Sequence, residues 1–180
     1  VKQVKDLMWL KAAQPEFFDV LKKEEFAKFS TLSISDFDER FEIQEVTTGS
    51  AFVIVPVKNK TVLSSLKIDK KNTVKWLEDN CKTAHKALYF FCIEEEQLTS
   101  RMLCIENDQV IEDAATGSAS TCLQAYLLKY HNNSIALINN QGEFINRSSQ
   151  IHFDGRLENE VYDINIGGVT KYVAQGEWEV

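Results

Sequence analysis

Residues 112–120 of this 180-residue chain contain a carboxylate pair and a small-residue turn, and they lead into an apolar helix predicted over Cys122 to Tyr130. The first N–H groups of a helix lack intrahelical partners, and the backbone dipole adds partial positive charge there, so a negative ligand is favoured. Gly117 and Ser118 would donate those N–H groups, and glycine would let a ligand approach the backbone. Asp113 lies a few residues upstream, where it can act on the bound ligand. The spacing therefore predicts an anion-binding site with an acid/base group.

A purely structural interpretation of the same residues stays open at this point. Thr116 or Ser118 can be a plain N-cap, with Asp113 forming a local turn. Glu112 is expected to form a surface ion pair or to cap the turn, with a catalytic role as its alternative.

The segment Glu112 to Ala119, EDAATGSA, resembles the signature EDPATGSA of the PhzF-type isomerases, the phenazine biosynthesis-like proteins. Other segments are similar to that family in the right order along nearly the whole chain: Trp9 to Phe17, Thr48 to Val57, Arg101, Gln141-Gly142, Arg147 to Ser149, Ile166 to Gly168 and Gln175 to Glu177. The sequence departs from the family pattern at Ala114 and Ser148, where proline is usual, and at Asn146, where glycine is usual.

The resemblance implies an α+β fold of the diaminopimelate epimerase-like type, with a mixed or antiparallel β-sheet wrapped around a central buried helix. Family members have two similar lobes that face each other across a cleft, and the first lobe carries a catalytic glutamate and a Gly-His pair. No counterpart of that lobe is found in this sequence. We therefore expect a C-terminal lobe over residues 16–180, preceded by a junction segment over residues 1–15 from a missing N-terminal lobe. Val1 to Trp9 are expected to fray or to pair with another copy, and the resemblance suggests a homodimer for full-length members.

The function that the resemblance implies is a cofactor-free acid/base proton shift on a small carboxylate-bearing substrate. In that reaction Gly117 and Ser118 would hold the substrate carboxylate, and Asp113 would hold or protonate an amino or hydroxyl group. Glu112 and Thr116 would be supporting residues. The main base is expected in the missing lobe, and no motif in the chain identifies the natural substrate.

Two alternative functions remain. The first is an amino-acid epimerase or racemase of the same fold, which uses a cysteine from each lobe at the helix starts. Here the loop carries Asp113 and no thiol, and Cys122 falls inside the helix, where its side chain is expected to pack in the core. The second alternative is a non-catalytic lobe that binds small carboxylates.

Composition narrows the class of protein further. With 44% hydrophobic residues the chain can bury the core of one globular domain, and a formal net charge of −7 argues against a nucleic-acid partner. No stretch is apolar enough to suggest a membrane span, and a cytoplasmic location is expected.

The cysteines lack metal-site spacing and are expected to be buried free thiols, whereas the histidines are dispersed at the surface or at helix ends; no metal site is therefore predicted. These residues are Cys81, Cys92, Cys104, Cys122, His85, His131 and His152.

Hydrophobic patterning predicts the elements around the signature loop. Pro15 is expected to open a helix that carries Phe17, Val20, Leu21 and Phe29. A second helix is predicted to begin at a cap on Asp69 or Asn72 and to run to about Cys81. Strands are predicted over residues 51–57, 87–93, 100–105, 134–138, 150–153, 161–166 and 172–178.

Overall fold

The computed structural model describes residues 1–83, 87–107 and 109–177, which form eleven β-strands and four α-helices. The strands are β1 Lys2–Val4, β2 Leu7–Lys11, β3 Glu16–Leu21, β4 Ile43–Thr47, β5 Ala51–Pro56, β6 Ala87–Glu94, β7 Gln97–Glu106, β8 Gln109–Asp113, β9 Ser134–Gln141, β10 Ser149–Glu158 and β11 Val161–Val169. The helices are α1 Lys23–Phe26, α2 Lys60–Ser65, α3 Lys70–Asn80 and α4 Gly117–Tyr130.

All eleven strands belong to one mixed sheet. Ten of them follow the order β1-β2-β11-β10-β9-β7-β6-β5-β4-β3, and β8 lies off this order and pairs with β7. The β5/β6 and β7/β9 pairs are parallel, and the other pairs are antiparallel. Strand β7 changes partner along its length, because residues 98–100 pair with β9 whereas residues 102–106 pair with β8. Strands β8 and β9 therefore diverge from this point of β7. The chain continues from β8 into residues 114–116, the loop that precedes α4.

The sheet curls around α4, which contacts β4, β5, β9, β10 and β11. Every residue of α4 from Ala119 to Leu128 is buried, as an apolar helix with no solvent-facing side requires. The curl brings β3, at one end of the strand order, close to β11, which is third from the other end, since the rings of Phe17 in β3 and Tyr162 in β11 lie 5.8 Å apart. Gln14 joins the same edges, because its side-chain amide both donates to and accepts from the main chain of Tyr162.

A second core lies on the outer face of the sheet. Alternate residues of β5 point to opposite sides, so Phe52 and Ile54 face α4 whereas Val53 and Val55 belong to the outer core. The outer core is covered by the three short helices α1 to α3, with Trp76 of α3 buried within it. Asp69 caps α3 by accepting a hydrogen bond from the Asn72 N–H group.

The expected sheet wrapped around a central buried helix is confirmed, and so are the second helix and most of the strands. The helix predicted from Pro15 is wrong. Residues 16–21 form β3, because aromatic and β-branched side chains favour an extended chain and β4 offers a pairing edge. A short helical stretch follows, made of α1 at Lys23–Phe26 and a 3-10 turn at Ala27–Phe29.

The strand predicted over residues 172–178 is also wrong for residues 172–177, and Trp178 lies outside the described residues. Strand β11 extends to Val169 instead, because its last residues pair with β2. Tyr172 and Val173 are 80% and 91% exposed, so they have no apolar surface to pack against.

The first residues are paired within the chain, and pairing with another copy stays a prediction. Strands β1 and β2 form an antiparallel hairpin, and β2 pairs with residues 165–169 of β11 in the same sheet. The boundary drawn after residue 15 stays a prediction.

The four cysteines are free thiols, three of them buried and Cys104 half-buried, as expected. His131 is exposed at the C-terminal end of α4, His152 is half-buried on β10, and His85 lies outside the described residues. Within the described ranges, no cluster of three or more His, Cys, Asp or Glu side chains is arranged to hold a metal ion. No helix in the same ranges has the length and apolar character needed to cross a membrane.

Candidate active site

Strand β8 delivers Asp113 to the start of α4. Asp113 is the last residue of β8 and pairs with Met102 of β7, and α4 begins four residues later at Gly117. The connection 114–116 is held close to the sheet, with the side chain of Ala114 buried. The carboxylate and the helix start are therefore placed by one short rigid segment.

The N–H groups of Gly117 and Ser118 donate to no acceptor among the described residues, and both residues are exposed. The first intrahelical bond of α4 runs from the Ser120 N–H to the Thr116 carbonyl. Thr116 occupies the N-cap position, yet its side chain makes no capping hydrogen bond. Its hydroxyl donates instead to Asp113 Oδ2 at 2.7 Å. The helix start thus presents free N–H donors and a carboxylate side by side.

Gly117 is not required by the backbone. It has no positive φ, and a Cβ built on it would meet only the Ile166 Cδ1 atom at 3.4 Å. An alanine would therefore fit the fold, although its methyl group would stand beside the free N–H groups.

Gln141 holds the loop between Asp113 and α4, and the sequence interpretation gave it no role. Its fully buried side chain donates from Nε2 to the Asp113 carbonyl at 2.9 Å and to Thr116 Oγ1 at 3.1 Å. Its Oε1 accepts from the Thr116 N–H at 3.4 Å and from the Tyr89 hydroxyl at 2.8 Å. The only sequence signal was the Gln141-Gly142 pair in the family resemblance, which does not indicate a contact with residues 113–116.

The Tyr89 hydroxyl connects the Gln141 side chain to a buried polar cluster. It accepts hydrogen bonds from Ser100 Oγ at 3.0 Å and Asn139 Nδ2 at 2.8 Å, and it lies 3.1 Å from Ser120 Oγ. Burial raises the pKa of Tyr89 above its ordinary value, although its hydrogen-bond donors oppose the shift. Tyr89 is therefore a neutral phenol that donates its proton to Gln141.

Glu112 forms an ion pair, as expected, but the pair is not at the surface. Arg101 donates from Nη2 and Nε to Glu112 Oε2 at 2.7 and 3.1 Å, and the two side chains are only 11% and 7% exposed. Arg101 Nη1 also donates to the Leu63 and Leu66 carbonyls at the end of α2. The sequence could not foresee this burial, because α2 lies nearly forty residues away along the chain. Glu112 thus ties β8 to β7 and α2.

A cleft of about 710 Å³ lies beside the helix start. The signature loop contributes Ala115 to its lining, and Gln141, Ser149, His152 and Gly168 line it from β9, β10 and β11. Its other lining residues include Glu143, whose carboxylate pairs with the Lys60 ammonium at 2.8 Å. The cleft is predominantly polar in its residues and adjoins the loop that carries Asp113.

The Cys122 thiol packs inside the fold, as the sequence predicted. It is fully buried and donates to the Ser50 carbonyl at 3.4 Å, with Thr48 Oγ1 at 3.5 Å. Burial raises the pKa of Cys122 to about 11. The thiol is therefore protonated at neutral pH and does not face the free N–H groups.

We expect Cys122 in the folded chain to resist alkylation by iodoacetamide at pH 8. The thiolate is the reacting form, and moving the pKa from 9.0 to about 11 lowers its population at pH 8 roughly a hundredfold, before steric shielding is counted. Peptide mass spectrometry of timed reactions would measure the rate, with half-buried Cys104 as the internal reference. Labelling of Cys122 as fast as in urea would show an accessible thiolate and would favour a thiol-based reaction.

The chain as a whole is similar to proteins of one family. A family model described as phenazine biosynthesis-like protein matches residues 2–176. A crystal structure of a PhzF-family phenazine biosynthesis protein from Bacillus anthracis is 26% identical with a TM-score of 0.79, covering 97% of this chain and 61% of that one. A predicted epimerase from Pseudomonas aeruginosa is 21% identical with a TM-score of 0.74, covering 99% of this chain and 61% of that one.

A more distant fold relative is a hydroxyproline epimerase from Agrobacterium vitis, solved with bound trans-4-hydroxy-L-proline. It is 10% identical with a TM-score of 0.52, covering 91% of this chain and 50% of that one. No curated protein matches the chain. The chain spans 61% of the length of each of the first two solved relatives.

Fold and helix start together define an α+β protein of the diaminopimelate epimerase-like class. The chain belongs to the phenazine biosynthesis-like (PhzC-PhzF) family.

Proposed function

We propose that the chain is the part of a PhzF-like isomerase that holds the carboxylate of a small cyclic substrate and supplies one of its acid/base groups. The substrate carboxylate binds the N–H groups of Gly117 and Ser118, where the α4 dipole favours negative charge. Asp113 then holds or protonates an amino or hydroxyl group on the same ligand. The reaction is a proton shift, in which one carbon of the substrate loses a proton and another gains one.

One observation carries this proposal: two exposed residues at the start of a buried helix have N–H groups with no acceptor among the described residues, and the half-buried Asp113 carboxylate is bonded to the Thr116 hydroxyl at the N-cap of the same helix. Fixed N–H dipoles stabilise a bound carboxylate without the reorganisation that water would need, and they orient the rest of the ligand toward Asp113. The family match and the epimerase relatives support an isomerase or epimerase role for such a site.

The proposed reaction needs a second surface. Gly117 and Ser118 are exposed, so water reaches them freely, whereas a proton shift needs a base on the other side of the substrate and a cleft closed against water. We propose that the N-terminal lobe implied by the family resemblance contributes both. We assign Glu112 no acid/base role in the proton shift, because its carboxylate forms an ion pair with Arg101.

The epimerase alternative with paired thiols fits less well. That scheme needs a thiolate at the helix start, whereas the Cys122 thiol is buried and bonded to the Ser50 carbonyl. The non-catalytic alternative predicts carboxylate binding without turnover, so it becomes one outcome of the experiments below.

Two variants of Gly117 test the carboxylate site. Proline suits the first position of a helix and removes its N–H group, and the extended Thr116 that precedes it, at φ −119° and ψ 96°, is compatible with proline. Alanine keeps the N–H group and is the matched control. Gly117→Pro is expected to weaken binding of 1-cyclohexenecarboxylate about tenfold, the loss of roughly one charge-assisted hydrogen bond, and Gly117→Ala less.

The measurement is a ¹⁵N NMR titration that follows the amide signals of residues 117 and 118 in the unmodified chain and in Gly117→Ala. In Gly117→Pro it follows the Ser118 signal alone, because proline has no N–H group. Cyclohexenylmethanol, which lacks the carboxylate, should shift neither signal. Saturable carboxylate shifts elsewhere, with the Gly117 and Ser118 signals unmoved, would refute the proposed site.

A further inference from the structure

We propose that Gln141 is a positioning residue of this site, which acts through the Thr116 hydroxyl to fix Asp113 Oδ2 as a hydrogen-bond acceptor and to leave Oδ1 as the reacting oxygen. The chemical meaning of this order rests on the proposed function. The order itself follows from the hydrogen-bond partners and can be tested without turnover.

The first step is the orientation of the Gln141 amide. The Asp113 carbonyl can only accept, and it lies 2.9 Å from Gln141 Nε2. The Thr116 N–H can only donate, and it lies 3.4 Å from Gln141 Oε1. Two backbone groups of opposite character therefore fix which end of the amide carries the hydrogens. The Tyr89 phenol, which donates to the same Oε1, agrees with that orientation.

The second step is the direction of the Thr116 hydroxyl. Gln141 Nε2 donates to Thr116 Oγ1 at 3.1 Å, so this oxygen is an acceptor toward Gln141. A hydroxyl carries one proton, and the remaining close acceptor is Asp113 Oδ2 at 2.7 Å. The Thr116 proton therefore points at Oδ2.

The third step concerns the two oxygens of Asp113. Oδ2 already accepts a short hydrogen bond, and a proton placed on it would weaken that bond, because a neutral carboxyl oxygen is a poorer acceptor than a carboxylate oxygen. Oδ1 accepts no hydrogen bond from the described residues and is not enclosed. Proton transfer to or from a ligand would consequently pass through Oδ1. The hydrogen bonds from Gln141 to Thr116 and from Thr116 to Asp113, here called the relay, would hold that oxygen in one direction.

The relay is rigid because its base is buried. Gln141 and Tyr89 have no exposed surface, and Tyr89 is held by donors from Ser100 and Asn139 on neighbouring strands. Water cannot replace these partners, since a buried polar group without its hydrogen bond is costly. Buried side chains of the sheet thus determine the direction in which the Asp113 carboxylate points.

The experiment compares three single variants of the full chain. Thr116→Val keeps the shape of the side chain and removes the hydroxyl, whereas Thr116→Ser keeps the hydroxyl and serves as the conservative rescue. Thr73→Val removes a buried hydroxyl from α3, far from the loop, and controls for the loss of one hydrogen bond. Crystal structures of the three variants at high resolution report the conformation of the Asp113 carboxylate.

Thr116→Val is expected to lose the single Asp113 conformer, and Thr116→Ser and Thr73→Val are expected to retain it. In NMR spectra of the unmodified chain, the two Gln141 side-chain amide protons should be protected from solvent exchange. One of the two should lose that protection in Thr116→Val. An unchanged Asp113 conformer in Thr116→Val, or rapidly exchanging Gln141 amide protons in the unmodified chain, would overturn the relay.

Turnover separates this inference from the proposed function. In the active assembly, Thr116→Val should lower kcat about tenfold with KM nearly unchanged, because misdirecting a reacting group costs rate rather than binding. If the unmodified protein shows no turnover on any cyclic carboxylate, the proposed function fails while the structural readouts still decide the relay. If turnover exists and Thr116→Val leaves kcat unchanged, the relay fails alone.

Discussion

Asp113→Asn is expected to lower proton-exchange turnover about a hundredfold or more while leaving the melting temperature nearly unchanged. An amide cannot exchange protons as a carboxylate does, so the chemical role is lost. Asparagine nevertheless keeps an oxygen that can accept the hydrogen bond from the Thr116 hydroxyl, and the loop should keep its conformation. Deuterium uptake from D₂O into amino- or hydroxy-substituted cyclic carboxylates, followed by mass spectrometry with the N-terminal lobe present, measures the turnover.

The control for this variant is Asp19→Asn, which makes the same chemical change at an exposed position of β3. It should change neither turnover nor melting temperature. A large fall in melting temperature with intact specific activity of the folded fraction would identify Asp113 as a structural residue and would return the loop to the N-cap interpretation.

Gly142→Ala is expected to lower the free energy of unfolding by roughly 3 kcal/mol or more. Gly142 has a φ of +80°, which L side chains rarely adopt, and a Cβ there would lie 2.4 Å from the Arg147 carbonyl oxygen and 2.7 Å from that of Ala114. Both obstacles are backbone atoms, which cannot rotate away as a side chain can. Since Ala114 belongs to the loop that carries Asp113, the strain should also disturb the site.

Gly168→Ala is the matched control, because a Cβ at that position meets nothing within 4 Å and φ is not positive. Its effect should stay within about 0.5 kcal/mol. Urea unfolding of both variants, followed by circular dichroism, gives the comparison. Equal unfolding midpoints would mean that the turn at Gly142 relaxes without cost.

The central elements of the fold could be predicted from the sequence because their signals are local. The all-round apolar character of α4 predicts a buried helix, and the run from Ala51 to Val57 predicts a buried strand. The family resemblance added the wrapped sheet, which no local pattern shows. Residues 16–21 misled the prediction because a proline and apolar spacing suit a helix start, whereas pairing with β4 decided the outcome.

The candidate site was only partly accessible to sequence reasoning. Gly117, Ser118 and Asp113 are neighbours along the chain, so their proximity follows from spacing. Gln141 reaches the same loop from 25 to 28 residues away, and Tyr89 reaches Gln141 across 52 residues. Such contacts depend on which strands are adjacent, and no periodicity encodes the β7/β9 pair that brings them together.

The joining of β2, Gln14 and β11 also constrains the order of folding. Gln14 and Tyr162 are 148 residues apart, yet their hydrogen bonds join the segment before β3 to β11 and so close the sheet around α4. A nascent chain cannot close this part of the sheet until β11 has left the ribosome, so apolar surface of α4 stays uncovered while residues 131–169 are made. Contacts of such long sequence separation slow folding and prolong exposure to aggregation. Closure of the sheet around α4 between Gln14 and β11 is therefore expected to be a late event in folding.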